Sequence, residues 1–295
     1  MTDYTEFLSN PNSLKNLLEV ADVEDLDLLV DYITDNGEGR IALDGDICKR
    51  LVACKTAGKY ENNERDLIRR EILLFGGNTL ANVYRDLRSK VEWGGILDKV
   101  LPDANYTVNY DEVVRDVAKH LKATFGEKDD TIAIENAILL KIFKQAFEKM
   151  SAEEREQVLK DLGITSISML GPGLTGAAIT AARRGGFKTY KIAVIVATAI
   201  AKAILGHGLR GPVITKTLSL LIGPGGWVLT GLWTLADMSS PGYRVTVPCV
   251  IQLSYMRQKA IRAATCTICT KCAAENAQDA KFCKDCGAPL ITGSN

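Results

Sequence analysis

Two apolar segments decide what kind of fold this chain can adopt: residues 190–206, YKIAVIVATAIAKAILG, and residues 217–236, TLSLLIGPGGWVLTGLWTLA. They lie within residues 165–256, which hold 13 of the 25 glycines, 5 of the 8 prolines and eight Lys or Arg residues against one acidic residue, Asp237. So much apolar surface has to be buried either in the protein's own core or in lipid. The surroundings of these segments therefore determine the architecture.

The lengths of the segments are compatible with a membrane hairpin. Residues 190–206 would extend about 25 Å as a helix, against roughly 30 Å of hydrocarbon, and Lys202 would have to reach the bilayer surface. More basic residues flank the pair than occupy the turn between them, as the positive-inside tendency expects for two cytosolic termini. The glycine–proline breaks, such as GPGG at residues 223–226, instead favour short core helices. Both interpretations stay open.

The charge distribution divides the chain into three predicted units. Residues 1–164 carry 32 acidic and 22 basic residues, and apolar residues there recur every three or four positions, so we predict an acidic, all-helical domain. We expect residues 165–262 to form a glycine-rich, apolar, basic helical segment and residues 263–295 to form a zinc ribbon. The fold class is mainly α. Residues 245–248, VTVP, predict a short extended piece before a helix that Pro248 begins.

The C-terminal cysteines give the most specific prediction. Two Cys-x-x-Cys pairs, Cys269 with Cys272 and Cys283 with Cys286, are separated by ten residues. Four thiolates in this spacing form the closed tetrahedral site of a structural zinc ion, and so few apolar residues accompany them that metal binding has to supply the folding free energy. We predict one structural zinc per chain and no catalysis at it, because no coordination position is left for water. Cys266 is left out, since using it in place of Cys269 would break the pairing of the two Cys-x-x-Cys motifs.

Other residues offer weaker chemistry. Asp116 and His120 lie four positions apart on one predicted helix face, but no Ser or Cys motif accompanies them, so we interpret His120 as a surface or capping residue. An enzyme would need these two residues, or Arg69, in one polar pocket. The glycine turn that begins at Gly76 and continues to Asn78 fits a helix cap better than a phosphate loop. We therefore predict no catalytic and no cofactor-binding residues.

Several stretches are similar to a known family. Residues 24–35 (EDLDLLVDYITD), 75–79 (FGGNT), 110–117 (YDEVVRDV) and 243–248 (YRVTVP) resemble the YaaW-like family of bacterial proteins. The resemblance covers most of residues 17–257 and brings no established catalytic residues with it. This family has been loosely associated with ubiquinol–cytochrome c chaperone domains, which implies an assembly or chaperone-like role. The C-terminal zinc ribbon is an addition to that pattern.

Three functions follow as hypotheses. The first is a non-enzymatic, membrane-associating helical protein whose zinc ribbon docks a partner, with membrane lipid or a protein as the partner. The second is a soluble chaperone or assembly factor whose apolar segment is its core or client groove. An enzyme is the third. The acidic N-terminal half argues against nucleic-acid binding, and the first residues lack a secretory signal, so we predict a cytoplasmic protein, either free or at the inner membrane with both termini cytosolic.

Overall fold

The computed structural model describes residues 13–76, 108–148, 150–153, 155–156, 187–209, 242–272 and 274–290. Within these ranges the elements are, in order, α1 Ser13–Glu19, α2 Val23–Thr34, α3 Gly45–Ala57, α4 Asn62–Gly76, α5 Tyr110–His120, α6 Thr131–Glu148, α7 Phe187–Leu205, α8 Tyr243–Thr265, β1 Cys266–Ile268 and β2 Glu275–Ala277. The predicted mainly helical class is confirmed. The second apolar segment, residues 217–236, and the part of the glycine turn after Gly76 lie outside the described residues.

Local sequence signals explain where several helices begin and end. The Asp44 side chain accepts hydrogen bonds from the backbone N–H groups of Asp46 and Ile47 at the start of α3, and Gly58 ends that helix with φ at +62°. Asn109 caps α5, which has acidic residues in its first turn and basic residues in its last turn. These are the positions at which such residues satisfy free backbone groups and oppose the helix dipole.

The last helix, α8, lies at the centre of the structure. It packs against α1, α2, α4, α5, α6 and α7. Every residue from Val245 to Gln258 is buried, so the helix is enclosed around its whole circumference for almost four turns. A helix buried on all sides is usually apolar on all sides. This one is not, because it carries Gln252, Ser254 and Arg257 in that stretch.

Helix α7 contains most of the first apolar segment, and other helices of the protein cover one side of it. It packs against α8, α6 and α2, and Ala193, Ala197 and Ala201 are buried at positions where small side chains allow close helix contact. Lys202 and Ala203 are exposed near its C-terminal end. The burial of this face favours the interpretation of residues 190–206 as a core helix, and the membrane hairpin stays a prediction.

A helix that spans a bilayer must be both long and apolar. No helix in the described part of the chain is both long enough and apolar enough to do so.

The extended piece predicted at residues 245–248 is wrong, because α8 already begins at Tyr243 and includes Pro248. Proline has no N–H with which to bond the carbonyl four residues earlier, which normally disfavours this position. Here Val245, Val247 and Cys249 are at most 1% exposed, so the apolar area that they bury outweighs the local preference. The Thr246 hydroxyl adds a hydrogen bond of 3.1 Å to the Gly242 carbonyl oxygen.

Several polar residues of α8 have partners on neighbouring helices. Gln252 Nε2 donates to Asp25 Oδ1 at 3.2 Å, and Lys259 Nζ donates to Asp25 Oδ2 at 2.8 Å. Gln258 Nε2 donates to Asn136 Oδ1 at 3.0 Å. Burying a polar group is costly only when its hydrogen bonds are lost. These pairs consequently let a polar helix occupy the core, and they fix its register against α2 and α6.

A single apolar cluster connects residues from α1 to α8, and a small second cluster lies in the C-terminal hairpin around Cys269, Cys283 and Leu290. Residues on both sides of position 164 contribute to the large cluster. The domain boundaries at residues 164 and 262 stay predictions.

Candidate metal centre

The metal-centre residues lie on a hairpin that follows α8 directly. Strand β1 pairs antiparallel with β2 in a register that places Cys266 opposite Ala277 and Ile268 opposite Glu275. The first Cys-x-x-Cys pair occupies the connection between the strands. The second pair follows Phe282, whose backbone is bridged to Pro289. The hairpin thus brings the two cysteine pairs to the same place.

The four predicted ligands form one cluster. The Sγ atoms of Cys269, Cys272, Cys283 and Cys286 all lie within 4.8 Å of one another. Cys269 Sγ is 3.6 Å from Cys286 Sγ, and Cys272 Sγ is 3.5 Å from Cys283 Sγ. A tetrahedral zinc site with Zn–S bonds of about 2.3 Å requires sulfur–sulfur separations of about 3.8 Å. The four sulfur ligands and the distances between them therefore fit zinc, which thiolates bind in a four-coordinate tetrahedral site.

Backbone groups stabilise the first cysteine of each pair as a thiolate. Hydrogen bonds from the N–H groups of Cys272 and Lys271 lower the pKa of Cys269. The N–H groups of Cys286 and Asp285 lower the pKa of Cys283, to about 6. Because the deprotonated sulfur is the metal ligand, the loop geometry prepares these residues for coordination.

Asn276 supports the second cysteine pair. Its Oδ1 accepts from the Lys284 backbone N–H at 2.8 Å, and its Nδ2 donates to the Ala274 carbonyl oxygen at 2.9 Å. The same Nδ2 lies 3.7 Å from Cys283 Sγ. The buried amide therefore connects the two halves of the site and orients one sulfur.

Cys266, the fifth cysteine considered from the sequence, is outside this cluster. It begins β1, and its Sγ lies 3.7 Å from the Thr265 hydroxyl. The remaining cysteines, Cys48, Cys54 and Cys249, are free thiols in α3 and α8, and burial raises the pKa of Cys249 far above its usual value. A protonated, buried thiol behaves as a small apolar side chain.

Asp116 and His120 do come together, but through a third residue that the sequence did not indicate. The His120 ring stacks on Tyr243 with centroids 3.7 Å apart, and the Tyr243 hydroxyl donates to Asp116 Oδ2 at 2.9 Å. This contact ties α5 to the start of α8. Arg69 is paired elsewhere, with Asp66 at 2.8 Å. Asp116 and His120 thus lie together, as the enzyme hypothesis requires of them, with Tyr243 between them.

Sequence reasoning missed the polar contacts that hold α8 and the ribbon. Glu135 and Arg257 form an ion pair 122 positions apart, and Arg262 binds Glu275 of the ribbon. Arg257 gave no local signal, because the neighbouring residues Gln252, Ser254, Gln258 and Lys259 are polar as well. Its partner could not be identified from the sequence, because long-range pairing leaves no local periodicity.

Taken together, the fold and the site define a mainly helical protein with a C-terminal zinc ribbon. Residues 268–290 match a family model described as a zinc-ribbon domain, and residues 63–251 match one described as ubiquinol-cytochrome C chaperone. A "UPF0174 protein" of Helicobacter pylori strain J99 is 34% identical over 200 residues, which are 65% of this chain and 87% of that protein. The chain belongs to the UPF0174 family, as its resemblance to the YaaW-like proteins indicated.

Two further relatives show how far the similarity extends. Another "UPF0174 protein" of the same Helicobacter pylori strain is 42% identical over 160 residues, which are 53% of this chain; the chain spans only 63% of that relative's length. The "UPF0174 protein YaaW" of Escherichia coli O157:H7 is 26% identical over 248 residues, 82% of this chain and 92% of that protein. No solved structure matches the chain.

Proposed function

We propose that this protein is a non-enzymatic, chaperone-like assembly protein in which a helical scaffold presents a structural zinc ribbon as the docking site for a protein partner. Each chain holds one zinc ion, through Cys269, Cys272, Cys283 and Cys286. The family description, ubiquinol-cytochrome C chaperone, supports an assembly role. The cysteine geometry supports a closed site that organises the ribbon and performs no reaction.

The single observation that carries the docking role is an exposed aromatic side chain on the ribbon. Phe282 is 65% exposed, and its neighbours Lys281 and Lys284 are exposed as well. Ile268, also in the ribbon, is 49% exposed. Aromatic side chains are enriched at the centres of protein-binding surfaces, and polar residues form the rim of such surfaces. The partner would supply an apolar pocket bordered by acidic groups.

The charge of the ribbon favours protein over nucleic acid. Residues 263–295 contain three lysines, and Glu275, Asp279 and Asp285 balance them. Nucleic-acid binding depends on an excess of positive charge and, for single strands, on several stacking aromatic residues. A neutral ribbon with one exposed phenylalanine provides neither.

A comparative pull-down tests the docking role. Full-length, zinc-loaded protein and its Phe282→Ser variant are used as baits, and the bound proteins are compared by quantitative mass spectrometry. Ile41→Ser is the matched control, because Ile41 is 93% exposed but lies outside the ribbon. We expect one partner to be depleted about tenfold or more with Phe282→Ser and retained with Ile41→Ser, as loss of a hot-spot residue predicts. Equal recovery with all three baits would contradict the proposal.

Carbonate extraction of cell membranes tests the membrane-associating alternative. With α7 inside the helical core, the remaining argument for that alternative is the sequence of residues 217–236. We expect carbonate to release the protein into the supernatant. Retention in the pellet would favour membrane insertion over the assembly role proposed here.

A further inference from the structure

Arg262 lies where the helical body meets the ribbon. It is in the last turn of α8, and its Cζ atom is 4.5 Å from the centre of the Tyr190 ring on α7. Its Nε donates a short hydrogen bond to Glu275 Oε1 on β2. One side chain therefore contacts α7, forms part of α8 and binds the ribbon.

The backbone provides a second connection at the same place. The Cys266 N–H donates to the Arg262 carbonyl oxygen, so the last turn of α8 ends on the first residue of β1. The Gln278 N–H, just after β2, donates to the Thr265 carbonyl oxygen at 3.1 Å. These bonds satisfy carbonyl groups that the end of a helix leaves without partners. The ribbon hairpin is consequently a continuation of α8, with no linker between them.

The contacts continue from Arg262 to the sulfur atoms. Glu275, the partner of Arg262, is buried, with 6% of its side chain exposed. The next residue is Asn276, which binds the Lys284 backbone and lies beside Cys283 Sγ. The position of β2 thus depends on the cysteine cluster. It also determines the position of the Glu275 carboxylate, which Arg262 binds.

Without metal, the ribbon has little to hold it in this arrangement. Its apolar cluster consists of Cys269, Cys283 and Leu290, with a few partly buried neighbours. So small a cluster cannot offset the chain entropy lost on folding. Opening of the ribbon would separate Glu275 from Arg262 and expose the carboxylate to water.

We propose that metal binding in the ribbon and the packing of α7 against α8 are energetically coupled through Arg262, which acts as a positioning residue for both. The inference rests on the zinc occupancy proposed above. Metal binding fixes Glu275, Glu275 holds the guanidinium over Tyr190, and the stacked pair closes the ends of α7 and α8. Coupling between two sites is reciprocal, so an intact junction strengthens zinc binding to the same extent.

Hydrogen exchange of the full-length protein, with zinc and after chelation, tests the first direction. In the wild type we expect zinc removal to speed amide exchange about fivefold in residues 190–196 of α7 and 258–265 of α8, at the low end of measured couplings. In Arg262→Gln, exchange in residues 190–196 should no longer respond to zinc. The coupling is refuted if α7 exchanges at the same rate with and without zinc in the wild type, or if its response persists in Arg262→Gln.

Zinc affinity, measured by competition with a chromophoric chelator, tests the reverse direction. Arg262→Gln should bind zinc about fivefold more weakly than the wild type. The matched control is Arg155→Gln, because Arg155 also lies over an aromatic ring, 5.8 Å from the Phe147 centroid, and donates to the Phe147 carbonyl oxygen at the end of α6. Its zinc affinity should be unchanged. Equal weakening in both variants would show a general loss of stability and would overturn the specific role of Arg262.

Two further measurements keep the outcomes distinct. If Arg262→Gln does not fold, Tyr190→Leu removes the ring and leaves the Arg262–Glu275 contact; it should keep its zinc while α7 loses its response to metal. A retained response would refute the coupling. The zinc content of the wild type separates the two proposals, since a metal-free protein contradicts the proposed function, whereas one zinc with no effect on α7 contradicts only the coupling.

Discussion

Arg257 on α8 forms two hydrogen bonds to Glu135 on α6, from Nε to Oε2 at 2.7 Å and from Nη2 to Oε1 at 3.2 Å. Both side chains are essentially inaccessible, with exposures of 0% and 1%. The Tyr110 hydroxyl of α5 donates to Glu135 Oε1 at 2.8 Å. The consecutive helices α5 and α6 therefore meet the distant helix α8 at one buried carboxylate, and this fixes the position of the central helix.

Breaking this pair should be strongly destabilising. Arg257→Leu leaves the Glu135 carboxylate buried without its cation, so we expect the free energy of unfolding to fall by about 3–5 kcal/mol in urea titrations of zinc-loaded protein. The surface pair of Lys144 and Glu148 provides the control, because both side chains are more than half exposed. Lys144→Ala should cost about 0.5 kcal/mol or less.

Replacing the whole cluster should cost much less than breaking it. In the triple variant Glu135→Leu, Arg257→Leu, Tyr110→Phe the three polar groups are removed together, so we expect the free energy of unfolding in the same titration to stay close to that of the wild type. A triple variant that is as unstable as Arg257→Leu would show that the cost comes from packing and not from an unpaired charge.

The stability should fall at alkaline pH because of buried tyrosines. Burial raises the pKa of Tyr32 far above its usual value, so the unfolded chain releases this proton near pH 10 while the folded protein retains it. A group whose pKa is raised in the folded state contributes stability at low pH that is lost as the pH rises, here from about pH 10 upward. Unfolding titrations at pH 9, 10 and 11 measure this loss.

Tyr32→Phe isolates the contribution of that residue. Between pH 10 and 11 the stability of the variant should fall less steeply than that of the wild type, by up to about 1.4 kcal/mol per pH unit. Identical slopes for the two proteins would show that Tyr32 ionises equally well in the folded state.

Zinc binding should require the paired cysteines and not Cys266. We expect about one equivalent of zinc per chain in the wild type and in Cys266→Ser, and none in the double variant Cys269→Ser, Cys272→Ser. The helicity of residues 1–164, followed by circular dichroism of the full chain, should survive loss of the metal. Metal-free wild-type protein with four reduced thiols in the ribbon would contradict this prediction.

Asn276 should tune zinc affinity without being a ligand. Asn276→Ala removes the amide beside Cys283 Sγ and the acceptor for the Lys284 N–H, so we expect zinc affinity to fall about 10- to 100-fold in chelator competition. The control is Gln278→Ala, since the Gln278 side chain is exposed on the same hairpin. Equal affinities for wild type and Asn276→Ala would mean that the loops orient the sulfur atoms by themselves.

The sequence by itself determined the helical class, the cysteine cluster and the family. Each depends on short-range information: apolar residues at helical spacing predict helices, and Cys-x-x-Cys pairs converge because a knuckle is built from four consecutive residues. The caps of α3 and α5 are equally local. The same reasoning failed at residues 245–248, where local preference for an extended piece was overcome by the burial of valines on all sides of α8.

Only the tertiary structure decided where the apolar helix α7 lies and which helix is central. An apolar pattern shows that a surface must be covered but not what covers it, because protein and lipid both remove it from water. The central position of α8 depends on partners more than a hundred residues away, such as Glu135 for Arg257 and Asp25 for Gln252. Such pairs form only when folding brings distant helices together, since burying these groups is favourable only once each has its partner.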